Sequence, residues 1–363
     1  MRARRVDARG GYGDCTRGEG VSPSTDEWER ERRDLLGRRI SELGLRVAGS
    51  PVEQLASRLY DELELRDLVF RPPVYLSDEW GCPEGTPLIG VPFYLADERL
   101  ARIESERSHG VEGAAEAMQY MRHEAGHAFN YAYRLYDRAD WRQTFGPYSR
   151  PYRERYHADP FSREYVRHVL GWYAQKHPDE DWAESFAVWL TPGLDWRREY
   201  AGWPALRKLD YVDRVMGEVG ARQPDPAPAP TAADLPVDAM HYTVEEHYRE
   251  LDETLPIDDE RYFDGDLRNL FSSAEQTPGS ESAAAFIRAH AGELVSRIAY
   301  WSGESLPVVR AFIDFIAARA DTLGLRRTGL EASILIELTA FGTAVMMNYR
   351  YTDAIGNARG GAE

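Results

Sequence analysis

Met121-Arg122-His123-Glu124-Ala125-Gly126-His127 is the stretch on which the reading of this chain turns. Two histidines four residues apart lie on one face of a helix, one turn from each other, so their imidazoles can reach a common point. Ala125, Gly126, Ala128 and Phe129 make the neighbourhood small and apolar, which predicts that the histidines are inside. Zinc takes neutral imidazole nitrogens at about 2.0–2.1 Å in a tetrahedral shell, so this pair supplies half of a site. Glu124 is rotated about 100° from His123 on the helix and falls beside the remaining positions, where it can take a proton from metal-bound water. His123 and His127 are therefore candidate Zn2+ ligands, and Glu124 is the candidate catalytic base.

A third protein ligand is needed. A metzincin would place a glycine and a histidine three and six residues after His127, but those positions hold Asn130 and Tyr133, which excludes that class. The remaining option is a carboxylate on a later helix. Asp181 to Leu190 reads as one, and Glu184 shares its face with Ala187 and Val188. A lone carboxylate there would cost several kcal/mol to bury unless a cation neutralises it. Glu184 is thus the expected third ligand, with Glu180, His157, His168 and His177 as alternatives.

The helix carrying the two histidines is expected over 112–136, with Ala117, Met121, Ala125 and Ala128 on its inner side. Before it, a helical pattern starts at Asp26. A second begins at Ser50-Pro51-Val52-Glu53, an N-cap, a proline at N1 and a capping-box glutamate, and should end near Arg66. Val74 to Ser77 and Leu88 to Ala96 are strand candidates, and Pro92 marks the second as an edge strand to which an extended peptide could add. After the histidine helix come a polar loop from Arg138 to Tyr156 and helical patterns at Glu164–Gln175 and Asp181–Leu190. Another carries Ala205, Leu209, Val212 and Met216.

Pro224, Pro226, Pro228, Pro230 and Pro236 stiffen the backbone and mark a linker. The expected division is a flexible leader over 1–24, an α+β domain over 25–220, a Pro-rich linker over 221–238 and a helical C-terminal module over 239–363. In that module, Phe286, His290, Leu294 and Ile298 mark one helix, and Val309, Phe312, Ile313 and Ile316 a second. Thr328 with Glu331 reads as the capping box of a third, with Leu330, Ile334, Leu338, Phe341 and Val345 on its inner face.

The chain has 363 residues, 43% of them hydrophobic, and a formal net charge of -17, a globular profile that disfavours nucleic acid. Two cysteines do not make a disulfide scaffold, and the N-terminus lacks the apolar run of a secretory signal, so a cytoplasmic protein is expected. The most apolar run, Ala332 to Met347, is interrupted by Glu337 and reads as a core helix rather than a membrane span.

The segments His-Glu-Ala-Gly-His (123–127) and Asp-Glu-Asp-Trp-Ala-Glu-Ser-Phe-Ala-Val-Trp-Leu-Thr-Pro (179–192) together resemble the bacterial zinc-binding metallopeptidase family of the gluzincin type. The Glu-Ser-Phe-Ala piece is also similar to the third-ligand helix of anthrax lethal factor and Mlc titration factor A. The resemblance covers roughly residues 30–217. It implies a zincin-like metallopeptidase domain, with a small sheet whose edge strand lies above the active-site helix. It maps the ligands onto His123, His127 and Glu184, and the base onto Glu124. In the lethal-factor type a tyrosine seven residues before the ligand glutamate polarises the scissile carbonyl. That position is His177 here, which leaves His177 and Tyr173 as candidates.

The expected activity is zinc-dependent hydrolysis of peptide bonds in a peptide or protein substrate. The alternatives are a zinc amidase acting on a non-peptide substrate and a non-catalytic zinc-containing protein. The C-terminal module is a candidate for binding a protein partner. Cys82 is expected as a buried thiol, with a zinc-capping thiolate as the alternative, and Asp181 as a helix cap or as the partner of a ligand histidine.

Overall fold

A computed structural model describes residues 25–108, 111–153, 156, 158–169, 172–225, 235–250, 257, 259–273, 277, 279–352 and 355. The expected leader and residues 226–234 of the expected linker lie outside the described residues. The chain is largely helical with very little sheet, consistent with an α+β class. In order it forms α1 (Thr25–Gly37), α2 (Pro51–Glu64), β1 (Val74–Ser77), β2 (Ile89–Pro92), α3 (Glu98–Ser108) and α4 (Ala114–Ala132). There follow α5 (Ala139–Phe145), α6 (Pro178–Leu190), α7 (Trp196–Glu199), α8 (Leu206–Val219) and α9 (Val244–Glu250). The last part contains α10 (Asp264–Leu270), β3 (Ser272–Ser273), α11 (Ala283–Ala289), α12 (Ala291–Ser302), α13 (Leu306–Thr322), β4 (Leu325–Arg326) and α14 (Glu331–Thr352).

Two hydrophobic cores result, one drawn from Trp28 to Tyr248 and the other from Phe263 to Ile355. The proline-rich stretch does not separate them. Val237, Met240, Val244 and Tyr248 pack into the first core. The backbone there returns to the segment after α1, with Ile40 N–H donating to Tyr242 O at 3.1 Å and Val244 N–H to Arg38 O at 3.1 Å. Residues 239–248, expected to open the C-terminal module, therefore belong with the first core.

Local chemistry explains the elements that frame the site. Ser50 caps α2, its hydroxyl accepting from Val52 N–H at 3.2 Å, while Glu53 reaches back to Gly49 N–H at 2.9 Å. β1 and β2 pair in parallel, Val74 opposite Ile89. β2 is shorter than expected, because the chain turns into a 3-10 segment at Phe93–Ala96 once Pro92 ends the ladder. β2 is an edge of a two-stranded sheet, as expected, and its outer side carries one isolated bridge, in which Gly90 exchanges two hydrogen bonds with Gly81 at 2.7 and 3.3 Å.

Among its described residues, the segment expected as a helix over 164–175 is irregular, with only a 3-10 turn at Tyr173–Gln175. Its His168 and Val169 N–H groups donate to the Glu184 carboxylate at 3.1 and 2.9 Å, which replaces the helical ladder, and Trp172 sits at φ 54°. Part of the expected loop after Arg138 is instead α5.

α4 and α6 touch backbone to backbone. A Cβ on Gly126 would lie 2.7 Å from Ala183 Cα and 3.0 Å from Ala183 O, so only glycine permits this crossing. Trp182 Nε1–H donates to Gly126 O at 2.7 Å and locks it. Behind α4, the buried Arg122 guanidinium forks onto Glu62 of α2 at 2.6 and 2.7 Å. Helix propensity alone would favour Gly126→Ala by about 0.8–1 kcal/mol. The clash opposes it, and overpacking costs about 1–3 kcal/mol. A net loss of stability is therefore expected in urea denaturation, and a stabilised variant would contradict the tight crossing.

In the second core, the helix expected around His290 is broken there into α11 and α12. α14 buries Ile334, Leu338, Gly342 and Met346, a strict four-residue row, whereas Leu330 is 77% exposed. By length and composition alone α14 could cross a bilayer. Among the described residues, the bundle touches the first unit through Gly303, Arg350 and Tyr351, whose hydroxyl donates to Ala158 O at 3.5 Å. Gly303, at φ 70°, lies under the Trp172 ring where a Cβ would approach to 2.2 Å. Arg350 donates to Tyr156 O at 3.1 Å.

Candidate metal centre

The centre is built where α4 and α6 cross. α6 begins three residues earlier than expected because Pro178 occupies its first turn and His177 caps it. His177 Nδ1 accepts from Asp179 N–H at 3.1 Å, and Nε2–H donates to Arg150 O at 2.7 Å. Both ring nitrogens are engaged. The residue expected to polarise a substrate carbonyl thus starts the helix that carries Asp179, Glu180 and Glu184, and it also lines the cavity.

Each histidine of α4 is oriented by a carboxylate of α6. His123 Nδ1 lies 2.8 Å from Glu184 Oε1, and His127 Nδ1 lies 3.0 Å from Asp179 Oδ2. An ionised carboxylate only accepts, and both are held by further donors. Glu184 Oε2 takes the His168 and Val169 amides, while Asp179 also takes Asn130 Nδ2 at 2.6 Å and the Tyr131 hydroxyl at 2.6 Å. Each imidazole therefore donates from Nδ1, and when neutral, as a metal ligand must be, turns its Nε2 lone pair inward. The two Nε2 atoms are 3.1 Å apart, and Glu180 Oε2 lies 3.1 Å from both.

Three lone pairs thus converge in a buried spot. Ligands about 2.0–2.1 Å from a tetrahedral zinc stand roughly 3.3 Å from one another, close to the edges of this triangle. The donor set of two imidazoles and one carboxylate fits zinc, and a divalent cation would offset part of the negative charge of the buried Glu124, Asp179, Glu180 and Glu184. The third corner is Glu180 rather than the expected Glu184. The two glutamates share a face one turn apart, and the α4–α6 crossing puts the deeper one behind His123, as its orienting partner. Asp181 plays neither expected part. It pairs with Lys208 of α8 at 2.7 Å, and burial, opposed by Lys208, raises its carboxyl to about 7. His168 Nε2 donates to Gln119 O at 3.1 Å, and His157 lies outside the described residues.

The charges respond to this crowding. Burial opposes the His123 imidazolium, yet the bonds to Glu180 and Glu184 prevail and raise its pKa to about 10. His127 is raised too, against burial, by Asp179 and Glu180. Burial also lifts Glu124 above the usual carboxylate range, with the two imidazoles pulling the other way. Among the described residues Glu124 accepts no hydrogen bond, and it faces the cavity.

That cavity holds about 890 Å³ and is lined on one side by Glu79 to Glu84 and on the other by Tyr148 to Arg150, Tyr152, Tyr173, Lys176 and His177. His123, Glu124, His127 and Glu180 form its floor. Tyr173 is in place, its ring 5.6 Å from that of His123. Cys82 lies in the wall with its thiol donating to Thr86 O at 3.3 Å, and burial, then Glu124 and Asp179, keep that thiol protonated. Asp179, Asn130, Tyr131 and Tyr152 were missing from the sequence reading. Asn130 and Tyr131 follow His127 by three and four residues, a helical spacing that could have revealed them.

An open-faced histidine, histidine and glutamate cluster beside a cavity glutamate defines a candidate zinc hydrolase centre. Residues 96–193, which span α3, α4, α5 and α6, match the model of the family described as "Putative zinc-binding metallo-peptidase". The chain matches no curated protein and no solved structure.

Proposed function

We propose that this chain is a zinc metallopeptidase of the gluzincin type, held in a zincin-like domain, that hydrolyses peptide bonds. The observation that carries the reading is the convergence of His123 Nε2, His127 Nε2 and Glu180 Oε2 on one point in the cavity floor, next to a glutamate that accepts no hydrogen bond among the described residues. Bound zinc would supply Lewis-acid polarisation of the carbonyl and acidify water towards a pKa of about 7. Glu124 accepts a proton from water and returns it to the leaving nitrogen, and its burial-raised basicity suits both steps. Asp179 and Glu184 fix the histidine tautomers.

With Glu180 as the third ligand, the tyrosine expected seven residues earlier is Tyr173, which burial keeps protonated and whose proton, held on the Tyr152 oxygen, would have to turn to reach a substrate carbonyl oxygen. The segment 79–82, paired to β2 through Gly81, forms the rim along which a peptide would lie. Metal analysis of purified protein with a peptide-library assay tests the proposal. About one zinc per chain is expected, as for a catalytic site with three protein ligands. Cleavage should disappear with a chelator and return with zinc. A protein purified without stoichiometric zinc and unable to take it up would overturn the reading.

A further inference from the structure

The two oxygens of Glu180 keep different company. Oε2 faces the two histidines at 3.1 Å, whereas Oε1 accepts from the Tyr152 hydroxyl at 2.7 Å. The Tyr152 hydroxyl stands 3.1 Å from that of Tyr173, and Lys176 Nζ lies 3.5 Å from the Tyr173 oxygen. The ammonium also sits 4.4 Å from the centre of the Tyr152 ring and 5.1 Å from that of Tyr173. An ammonium only donates and a carboxylate only accepts, so the row has one direction. Lys176 donates to Tyr173, Tyr173 to Tyr152, and Tyr152 to Glu180. The cation at the head of the row strengthens each donor after it.

This arrangement bears on how Glu180 can hold a metal. A carboxylate binds through one oxygen or through two, and a second oxygen would enter the position that a catalytic site keeps open. We propose that Tyr152 is a positioning residue that keeps Glu180 a one-oxygen ligand by occupying Oε1. The proposal rests on the zinc reading above and adds the residue that protects the open coordination position.

The test uses cobalt(II) in place of zinc, because its visible absorption is intense when four-coordinate and weak when five- or six-coordinate. Wild-type protein, Tyr152→Phe and Tyr173→Phe would each be loaded to stoichiometry. Tyr152 is 49% exposed and its phenylalanine variant loses one oxygen, so folding should be retained, as thermal melting would verify. Wild type should show the intense spectrum. Tyr152→Phe should bind cobalt with a weakened, shifted spectrum, and with zinc its kcat should fall by about 10–100-fold, the usual effect of removing a group that orients a metal ligand. Tyr173→Phe leaves Oε1 bonded and should keep the wild-type spectrum. Coincident spectra for Tyr152→Phe and wild type would overturn the proposal while leaving the zinc reading intact. Failure of wild-type protein to bind cobalt would reject both.

Discussion

Glu124→Gln is expected to retain zinc near the wild-type level and to lose about 10²–10⁴-fold in turnover, the contribution of a positioned acid–base group. The size of the side chain is kept and only its basicity is removed. Because the converging atoms come from His123, His127 and Glu180, the metal would not sense the change directly. Glu124 also takes part in no hydrogen-bond network among the described residues, so folding should be little affected. If anything, replacing a buried carboxylate by an amide relieves repulsion from Glu180 and Asp179, both of which press its pKa upward. The measurement is zinc content by elemental analysis together with initial rates on a peptide found by library screening. Wild-type turnover in this variant would remove Glu124 from the chemistry.

The second large effect separates two glutamates one turn apart. Glu180→Ala removes a corner of the converging triangle and should abolish stoichiometric zinc. Glu184→Gln should behave otherwise, since its carboxylate touches His123 through Nδ1, on the far side of the ring from the metal. Loss of an orienting partner typically lowers metal affinity or activity by about 10–100-fold, so the protein should still load in excess zinc. Glu184→Gln also weakens the bonds to the His168 and Val169 amides and should loosen the segment that leads to Trp172. Competition with a chelator of known affinity would rank the variants. Retention of tight zinc by Glu180→Ala, with its loss in Glu184→Gln, would return the third ligand to Glu184.

Much of the site was legible because helical periodicity is a local property. The spacing of His123 and His127, the small residues between them and the bounds of their helix, 112–136 expected and 114–132 observed, all follow from residues within a few turns. The Ser50 cap of α2 and the row of Ala205, Leu209, Val212 and Met216 in α8 are of the same kind. The errors have a common source. The segment 164–175 has helical composition, but a carboxylate from α6 takes its amide protons. β2 has the residues to run on to Ala96, yet the chain leaves the ladder at Pro92 for a 3-10 turn. The prolines of 221–238 read as a boundary, but Met240 and Val244 find their partners beside α1.

By itself, then, the sequence determined that two histidines share one inward helix face with Glu124 about 100° round from the first, and that a further ligand must join them, Glu184 being expected with Glu180, His157, His168 and His177 as alternatives. Which carboxylate it is, and what the others do, was decided only in three dimensions. Asp179, Glu180, Asp181 and Glu184 are all buried acids within two turns of α6, and no local rule ranks them. The depth at which α6 crosses α4 does. Gly126 admits Ala183 to backbone contact, and from that fixed point Glu180 reaches both Nε2 atoms, Asp179 and Glu184 stand behind the two rings, and Asp181 turns away to Lys208.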